Sequence, residues 1–252
     1  MKVGVLCEFS GIVRDAFIRR GHDAVSCDLL PTESPGPHLQ GDCLSFDWSG
    51  FDLLICHPPC TYLAVSGLHW NKRVPGRAEK TEEALRFVRA LFDLPCPRIV
   101  LENPVSCIST RIRKPDQIIQ PWMFGHPESK ATCLWLRFVP PLKPTNTLSR
   151  PAWVRCECCD DFLCTIHKGQ HVADCSCRDI DWWAGRGLDP YTEGGRWDNQ
   201  TPGGQNKLGP SPTRAMDRSR TYPGIADAMA DQYGSLRAAD ESANQSLGRV
   251  AG

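Results

Sequence analysis

Short apolar runs that stop abruptly, alternating with segments of helical periodicity, constrain this chain more than any other feature. Val3 to Cys7 is apolar, Ile12 to Arg20 carries Ile12, Ala16 and Phe17 at helical spacing ahead of Gly21, and Ala24 to Cys27 is apolar again. That order reads as strand, helix, strand. Phe51 to Cys56 is a second buried-strand candidate, and Pro58-Pro59 must end it because neither proline can donate to a strand ladder. Beyond a loop closed by Pro75-Gly76, Arg77 to Phe92 sets Ala84, Leu85, Val88 and Leu91 on one helical face, with Glu79, Lys80, Glu82 and Glu83 elsewhere. Arg98 to Leu101 is the next strand, closed by Glu102-Asn103-Pro104. Strands alternating with helices specify an α/β protein with a doubly wound parallel sheet, in which ligands sit outside the carboxyl ends of the strands.

The second half changes character. After a strand over Thr132 to Phe138, four prolines (140, 141, 144, 151) lead into a Cys/His cluster and then a Gly/Pro/Asp-rich stretch from Gly185 to Pro212. This is too irregular for a second large core, so a small irregular metal-stapled insert is expected over residues 140–215. Helical periodicity returns from Thr221 to Tyr233, with Pro223 acceptable in the first turn, and residues 236–252 are expected to be a flexible tail. The main domain is thus 1–139 plus 216–235.

Six of the 14 cysteines crowd between Cys156 and Cys177, interleaved with His167 and His171. Structural zinc takes four N/S ligands, commonly as two close pairs, and Cys156/Cys159 with Cys175/Cys177 supply such pairs. Cys164, His167 and His171 are alternates, which leaves a different set of four, or two ions, open. This is metal-site rather than disulfide spacing and implies a reducing, cytoplasmic setting. No apolar run approaches the roughly 20 residues that span a bilayer, and Glu8 interrupts the first one, so neither a membrane span nor a signal peptide is expected. With 29 Lys+Arg against 29 Asp+Glu, the chain is not one that coats nucleic acid through its overall field. Between Cys107 and Arg150, however, seven Lys/Arg face only Asp116 and Glu128, an excess of five that could follow phosphates or simply be a solvated surface.

Three constellations could carry chemistry. Cys60, directly after the Pro-Pro turn, is displayed on a stiff pedestal, where a thiol of lowered pKa is a strong nucleophile; the alternative is a small buried hydrophobe. Glu102, at the end of another apolar strand, faces the same crevice if the two strands are neighbours, and otherwise is a loop-solvating acid. Together they suit attack on a ring at one atom while a nearby nitrogen is protonated or hydrogen-bonded. Third, Phe9-Ser10-Gly11 opens the first helix, Asp28 ends the second strand and Gly41-Asp42 follows, a pattern that suits close ligand approach and ribose hydroxyls. The cysteines at 7, 27, 43, 56, 96, 107 and 133 lie in or near apolar runs and read as core.

In order and approximate spacing, Phe9-Ser10-Gly11-Ile12, Asp28, Gly41-Asp42, Pro58-Pro59-Cys60 running on to Ser66-Gly67, and Glu102-Asn103 resemble the cytosine-C5 DNA methyltransferases. The resemblance covers roughly residues 3 to 138 and returns near Pro223. It implies a Rossmann-like domain that binds S-adenosylmethionine through Phe9, Ser10, Gly11, Ile12, Asp28, Asp42 and Pro58. Cys60 would attack cytosine C6, Glu102 would hold N3 and the exocyclic amine, and Asn103 would complete the catalytic pair of motifs. Thr61, Ser66, Trp70, Lys130 and Thr132 would meet the DNA substrate.

Departures from the family pattern are specific. Its glycine pair after Phe-x-Gly-Ile is missing, since Val13-Arg14 follows at once, and Arg14 could intrude on the cofactor loop. Thr61 stands where Gln is usual, and Lys130 and Thr132 replace two arginines. A duplex hides the reacting ring within its stack, so the cytosine should flip out, and the loop from Thr61 to Pro75 is expected to close over it. The insert would take the place of a larger recognition domain, and a monomer is expected. Two rival readings stand beside this one. An enzyme of the same fold could modify cytosine in RNA or nucleotides, or use an altered donor; or the chain could be an inactive zinc-dependent DNA-binding protein.

Overall fold

Residues 1–148, 197–200, 207–209, 211 and 213–236 are described in the computed structural model. Seven strands make one sheet: β1 (Lys2–Leu6), β2 (Asp23–Asp28), β3 (His38–Gln40), β4 (Leu53–Cys56), β5 (Arg98–Pro104), β6 (Gln117–Ile119) and β7 (Thr132–Arg137). Their order is β3-β2-β1-β4-β5-β7-β6. The first five run parallel, whereas β7 runs against both β5 and β6, so the sheet is mixed rather than wholly parallel as expected. Apolar periodicity marks a strand but not its direction, which here is set by the pairing of β7 with an extended β5. Glu102-Asn103-Pro104 does not close that strand; it continues it, with Glu102 opposite Leu134 and Pro104 opposite Thr132.

Helix α1 (Ile12–Arg19) and helix α2 (Arg77–Phe92) match the sequence reading within a residue. Among the described residues, three further helices are α3 (Ile108–Arg111), α4 (Arg214–Ser219) and α5 (Pro223–Gly234), the last with Pro223 in its first turn. Side chains on a strand alternate between faces. Val3, Val5, Leu53, Ile55 and Val100 therefore pack toward α1 and α5, while Leu6, Leu54, Cys56, Ile99 and Leu101 pack toward α2. Burial on both faces explains why β4 is buried at every position. Continuing the alternation past Cys56 and Leu101 sends His57 and Glu102 toward the α1 side.

Residues 140–148 belong with this body. Leu142 is buried and exchanges hydrogen bonds with Gln117, and Lys143 does so with Gln232. Within the expected insert, Trp197 is buried and stacks on Trp122, with ring centroids 5.8 Å apart and planes 4° from parallel. Asn199 bonds to the backbone of Ser129 through both ends of its amide. Among the described residues no helix is long and apolar enough to cross a membrane.

Candidate active site

The carboxyl end of β1 turns sharply at Cys7, whose φ of 58° is a left-handed conformation uncommon outside glycine, asparagine and aspartate. The turn carries Glu8 to the start of α1. There its carboxylate accepts the backbone N–H groups of Val13 at 2.6 Å and Arg14 at 3.2 Å, and the Ser10 hydroxyl at 3.4 Å. The first N–H groups of a helix are a ready anion site, and here the chain's own acid takes it. Burial pushes the Glu8 carboxyl above its usual range, against the opposing effects of His57, the two N–H groups and Arg14. Arg14 is fully buried beside it. Its guanidinium pairs with Asp15 at 2.7 Å and donates to Ser26 and Thr32 and to the Ser34 carbonyl, fastening the 32–37 loop to α1.

On the α2 side lies a cavity of about 520 Å³, lined by Asp28, Gly41, Asp42, Pro59, Tyr62 and Phe87 among others. This volume is in the range of small-molecule sites, about 300–1,000 Å³. Asp28 and Asp42 thus come together as the sequence suggested. Each accepts a backbone N–H through Oδ1, from Leu30 and Leu44 respectively, which fixes its orientation at the wall. Phe9, Ser10, Gly11 and Ile12 do not line this cavity: Phe9 and Ser10 are buried, and Gly11 caps α1 with φ 75°. Pro59 rather than Pro58 faces it.

Three cysteines read as core, Cys7, Cys27 and Cys43, form part of the same wall, and Cys7 is only half-buried. The Cys7 thiol is pushed far up by its hydrogen bond with Cys43 and by burial, and burial pushes Cys27 to about 12. These two thiols bring no charge to the cavity at neutral pH. The other core cysteines (43, 56, 96, 107 and 133) are buried as expected.

Cys60 and Glu102 converge at the top of adjacent strands. Asn103, buried, donates from Nδ2 to the Pro58 carbonyl at 2.8 Å and so pins the Pro-Pro-Cys turn to β5. Its role here is to hold the turn. Cys60 is half-buried; burial and then the Glu102 charge push its thiol up, while Lys130 and Arg218 pull it down. The thiol therefore rests protonated, in contrast to the lowered value a preformed nucleophile would have. Burial alone would raise Glu102 as well, but a hydrogen bond and charge from His57, with Lys130, hold it below the usual carboxylate range.

Lys130 reaches this site because β7 runs backwards, bringing the residues ahead of Thr132 to the carboxyl ends of its neighbours. Its ammonium is anchored on the Arg218 carbonyl at 2.9 Å and lies over the Tyr222 ring. Thr132 is buried in β7, with its hydroxyl on the Lys130 carbonyl at 3.1 Å. Thr61 and Ser66 are exposed, and Trp70 is exposed within a 3-10 helix, Val65–Lys72, where the sequence suggested only a loop. That segment is tied down by Val65 to Val105 and by Thr81 to the Tyr62 carbonyl.

Two residues escaped the sequence reading. His57 Nδ1 stands 3.0 Å from Glu102 Oε2, and Glu8 lies close enough to feel its charge. The period of two from Ile55 to His57 was the available signal. The zinc candidates Cys156, Cys159, Cys164, His167, His171, Cys175 and Cys177 lie outside the described residues, among which no group of three or more His, Cys, Asp or Glu is placed to hold a metal ion. No protein-family model matches this chain, and no curated protein matches it.

Proposed function

We propose that this chain is an S-adenosylmethionine-dependent DNA cytosine-C5 methyltransferase. The observation that carries the reading is the convergence of Cys60 and Glu102 at the ends of β4 and β5, beside a cavity walled by Asp28 and Asp42. Strands β3-β2-β1-β4-β5 follow the order of Rossmann-like nucleotide-binding sheets, whose ligands bind at the switch point between β1 and β4. The cavity suits a nucleoside-bearing cofactor: Phe87, Tyr62 and Pro59 offer apolar faces to a purine, and the two carboxylates offer acceptors to ribose hydroxyls and an amine. When bound, S-adenosylmethionine supplies an electrophilic methyl group.

The chain's own residues do the rest. Cys60, once deprotonated with Lys130 and Arg218 opposing its charge, bonds to C6 of the cytosine, and the displaced π electrons run through C5 and C4 to N3. Glu102 holds N3 and the exocyclic amine as charge gathers there. C5 becomes nucleophilic enough to take the methyl group, and loss of the C5 proton re-forms the ring double bond and expels Cys60. Trp70, with Lys72 and Arg73 nearby, serves the flipped strand by stacking and phosphate contact.

The excess of Cys and His ligands between residues 156 and 177 supports a structural zinc site in a recognition insert, with Cys156, Cys159, Cys175 and Cys177 as the first choice. A zinc-loaded protein contains at least one equivalent of metal, and chelation weakens DNA binding while sparing cofactor binding. We read the protein as a cytoplasmic monomer.

One observation favours a second reading, in which the donor is an altered S-adenosylmethionine. Glu8 already occupies the N–H groups that open α1, where an anionic part of a ligand would otherwise bind. Duplex DNA incubated with the protein and S-adenosylmethionine, then digested and weighed as nucleosides, tests both. The expected product is 5-methylcytosine. No product in vitro with a heavier adduct in DNA from expressing cells supports the altered donor; absence of both, with no cofactor affinity, leaves a DNA-binding protein.

A further inference from the structure

His57 lies one residue beyond β4, held there by its backbone N–H on the Leu6 carbonyl at 2.9 Å. Its imidazole is almost wholly enclosed, with the side chain 7% exposed against 12% for the Glu102 carboxylate it contacts. Nε2 is buried and makes no hydrogen bond in the structure. An ionised carboxylate only accepts, so Nδ1 must carry the proton that joins the two. Other charges facing the pair come from every neighbouring element: Glu8 after β1, Cys60 on the turn after β4, Lys130 ahead of β7, Cys133 within β7, and Arg218 on α4, which reaches Cys60.

The proposed chemistry needs a proton at N3 when the thiolate enters the ring, since a negative charge otherwise builds there. Glu102 is held ionised by its surroundings and has no proton of its own to give. Among the described residues, His57 is the only titratable side chain hydrogen-bonded to it.

We infer that His57 is a positioning residue for Glu102 that also supplies the ring's proton, acting as the acid behind the carboxylate. The inference rests on the cytosine-attack reading. As the Cys60–C6 bond forms, the Nδ1–H bond of the imidazolium breaks toward Glu102 Oε2, leaving its electron pair on nitrogen. The carboxyl, neutral for that moment, turns its new Oε2–H to N3 and passes the same proton on, while Oε1 accepts from the exocyclic amine. The couple goes from imidazolium and carboxylate to neutral imidazole and carboxylate, and the adduct is neutral. Expulsion of Cys60 returns the N3 proton by the same route. Orientation follows from the same bond, because Oε2 held between His57 and N3 leaves Oε1 for the exocyclic amine.

The test is His57→Asn, whose short amide keeps a donor near Nδ1 but carries no mobile proton. Single-turnover transfer is followed from mildly acidic to alkaline pH with the full chain, S-adenosylmethionine and duplex DNA. In the wild type a thiol must lose its proton while an imidazole keeps its own, so the two requirements oppose each other and the rate levels off with pH instead of following the thiol upward. In the Asn variant the rate drops about 100-fold near neutral pH, continues to rise across the neutral range, and KM for DNA is unchanged. A variant with the wild-type rate and plateau overturns the inference.

If the wild type transfers nothing to cytosine at any pH, the functional reading has failed, and ring NMR decides the couple itself. Glu102→Gln should then lower the His57 titration midpoint. An unmoved midpoint overturns the pairing as well.

Discussion

The two faces of one sheet differ at their carboxyl edge in how their charges are held. Toward α2 the charged Asp28, Asp42, Lys80 and Glu83 stand in a cavity wall among thiol, aromatic and aliphatic groups, with Cys7 and Cys27 kept uncharged. Toward α1 and α5 the side chains are ionic and interlocked: Glu8 on the helix N-terminus, Arg14 beneath it, His57 on Glu102. Strands β4 and β5 reach both sides, because Cys56 and Leu101 pack into the core under α2 while His57 and Glu102 turn the other way. The side chains of the two faces are thus separated by a single residue of register, and Cys60 follows the strand end where the faces meet.

Removing that meeting point has the largest expected effect. Cys60→Ser should abolish transfer while cofactor and DNA binding persist, since a hydroxyl at neutral pH is a far poorer nucleophile than a thiolate. DNA carrying 5-fluorocytosine should trap the wild type covalently, because fluorine cannot leave as a proton; turnover by the Ser variant would remove Cys60 from the chemistry. Next comes Glu102→Gln, expected to slow transfer by about 10²–10⁴ with little change in cofactor KM. A purely thermal loss, seen as a lowered Tm with normal transfer in the folded fraction, would make Glu102 structural.

On the other face the order of effects should reverse. Asp28→Ala or Asp42→Ala should raise the cofactor KM by about 10- to 100-fold, the equivalent of losing a hydrogen bond to a charged group, and leave the single-turnover rate at saturation near normal. If either slows that rate as much as Glu102→Gln does, the division of labour between the faces is wrong.

The smallest effect belongs to Glu8. Burial raises its folded-state pKa above the unfolded one, so the folded protein binds this proton more tightly, and its contribution to stability is lost as pH rises from the ordinary carboxylate range through the raised value. Glu8→Gln removes that dependence. The Tm of the wild type relative to the variant should therefore fall between acidic and neutral pH, by about 2–4 °C per kcal/mol, and parallel Tm curves would show that Glu8 titrates normally.

Helical periodicity located α1, α2 and α5, which bury one stripe, and short apolar runs located five of the strands, which are buried on both faces. Neither signal found β3 or β6, three residues each, which are too short to show a period, or the reversal of β7. Cys60 and Glu102 were legible as a pair because strand ends in such sheets share one crevice. The motif gave the position of Asn103 but not its partner, and the structure shows its amide donating to the Pro58 carbonyl. His57 was passed over because its neighbours in sequence are an apolar run and two prolines; only the pairing of β4 with β5 brings it to Glu102.

Trp122 has a consequence beyond its place beside the sheet. Its carbonyl receives the N–H of Leu148 at 2.8 Å, and its indole carries Trp197. The chain therefore departs and lands on the same residue, and everything between is a detour whose two ends are already fastened together. A chain whose two ends are already together closes at a cost that grows only as the slow logarithm of its length. The point where the chain leaves the sheet's body and the point where it returns therefore share one anchor, Trp122.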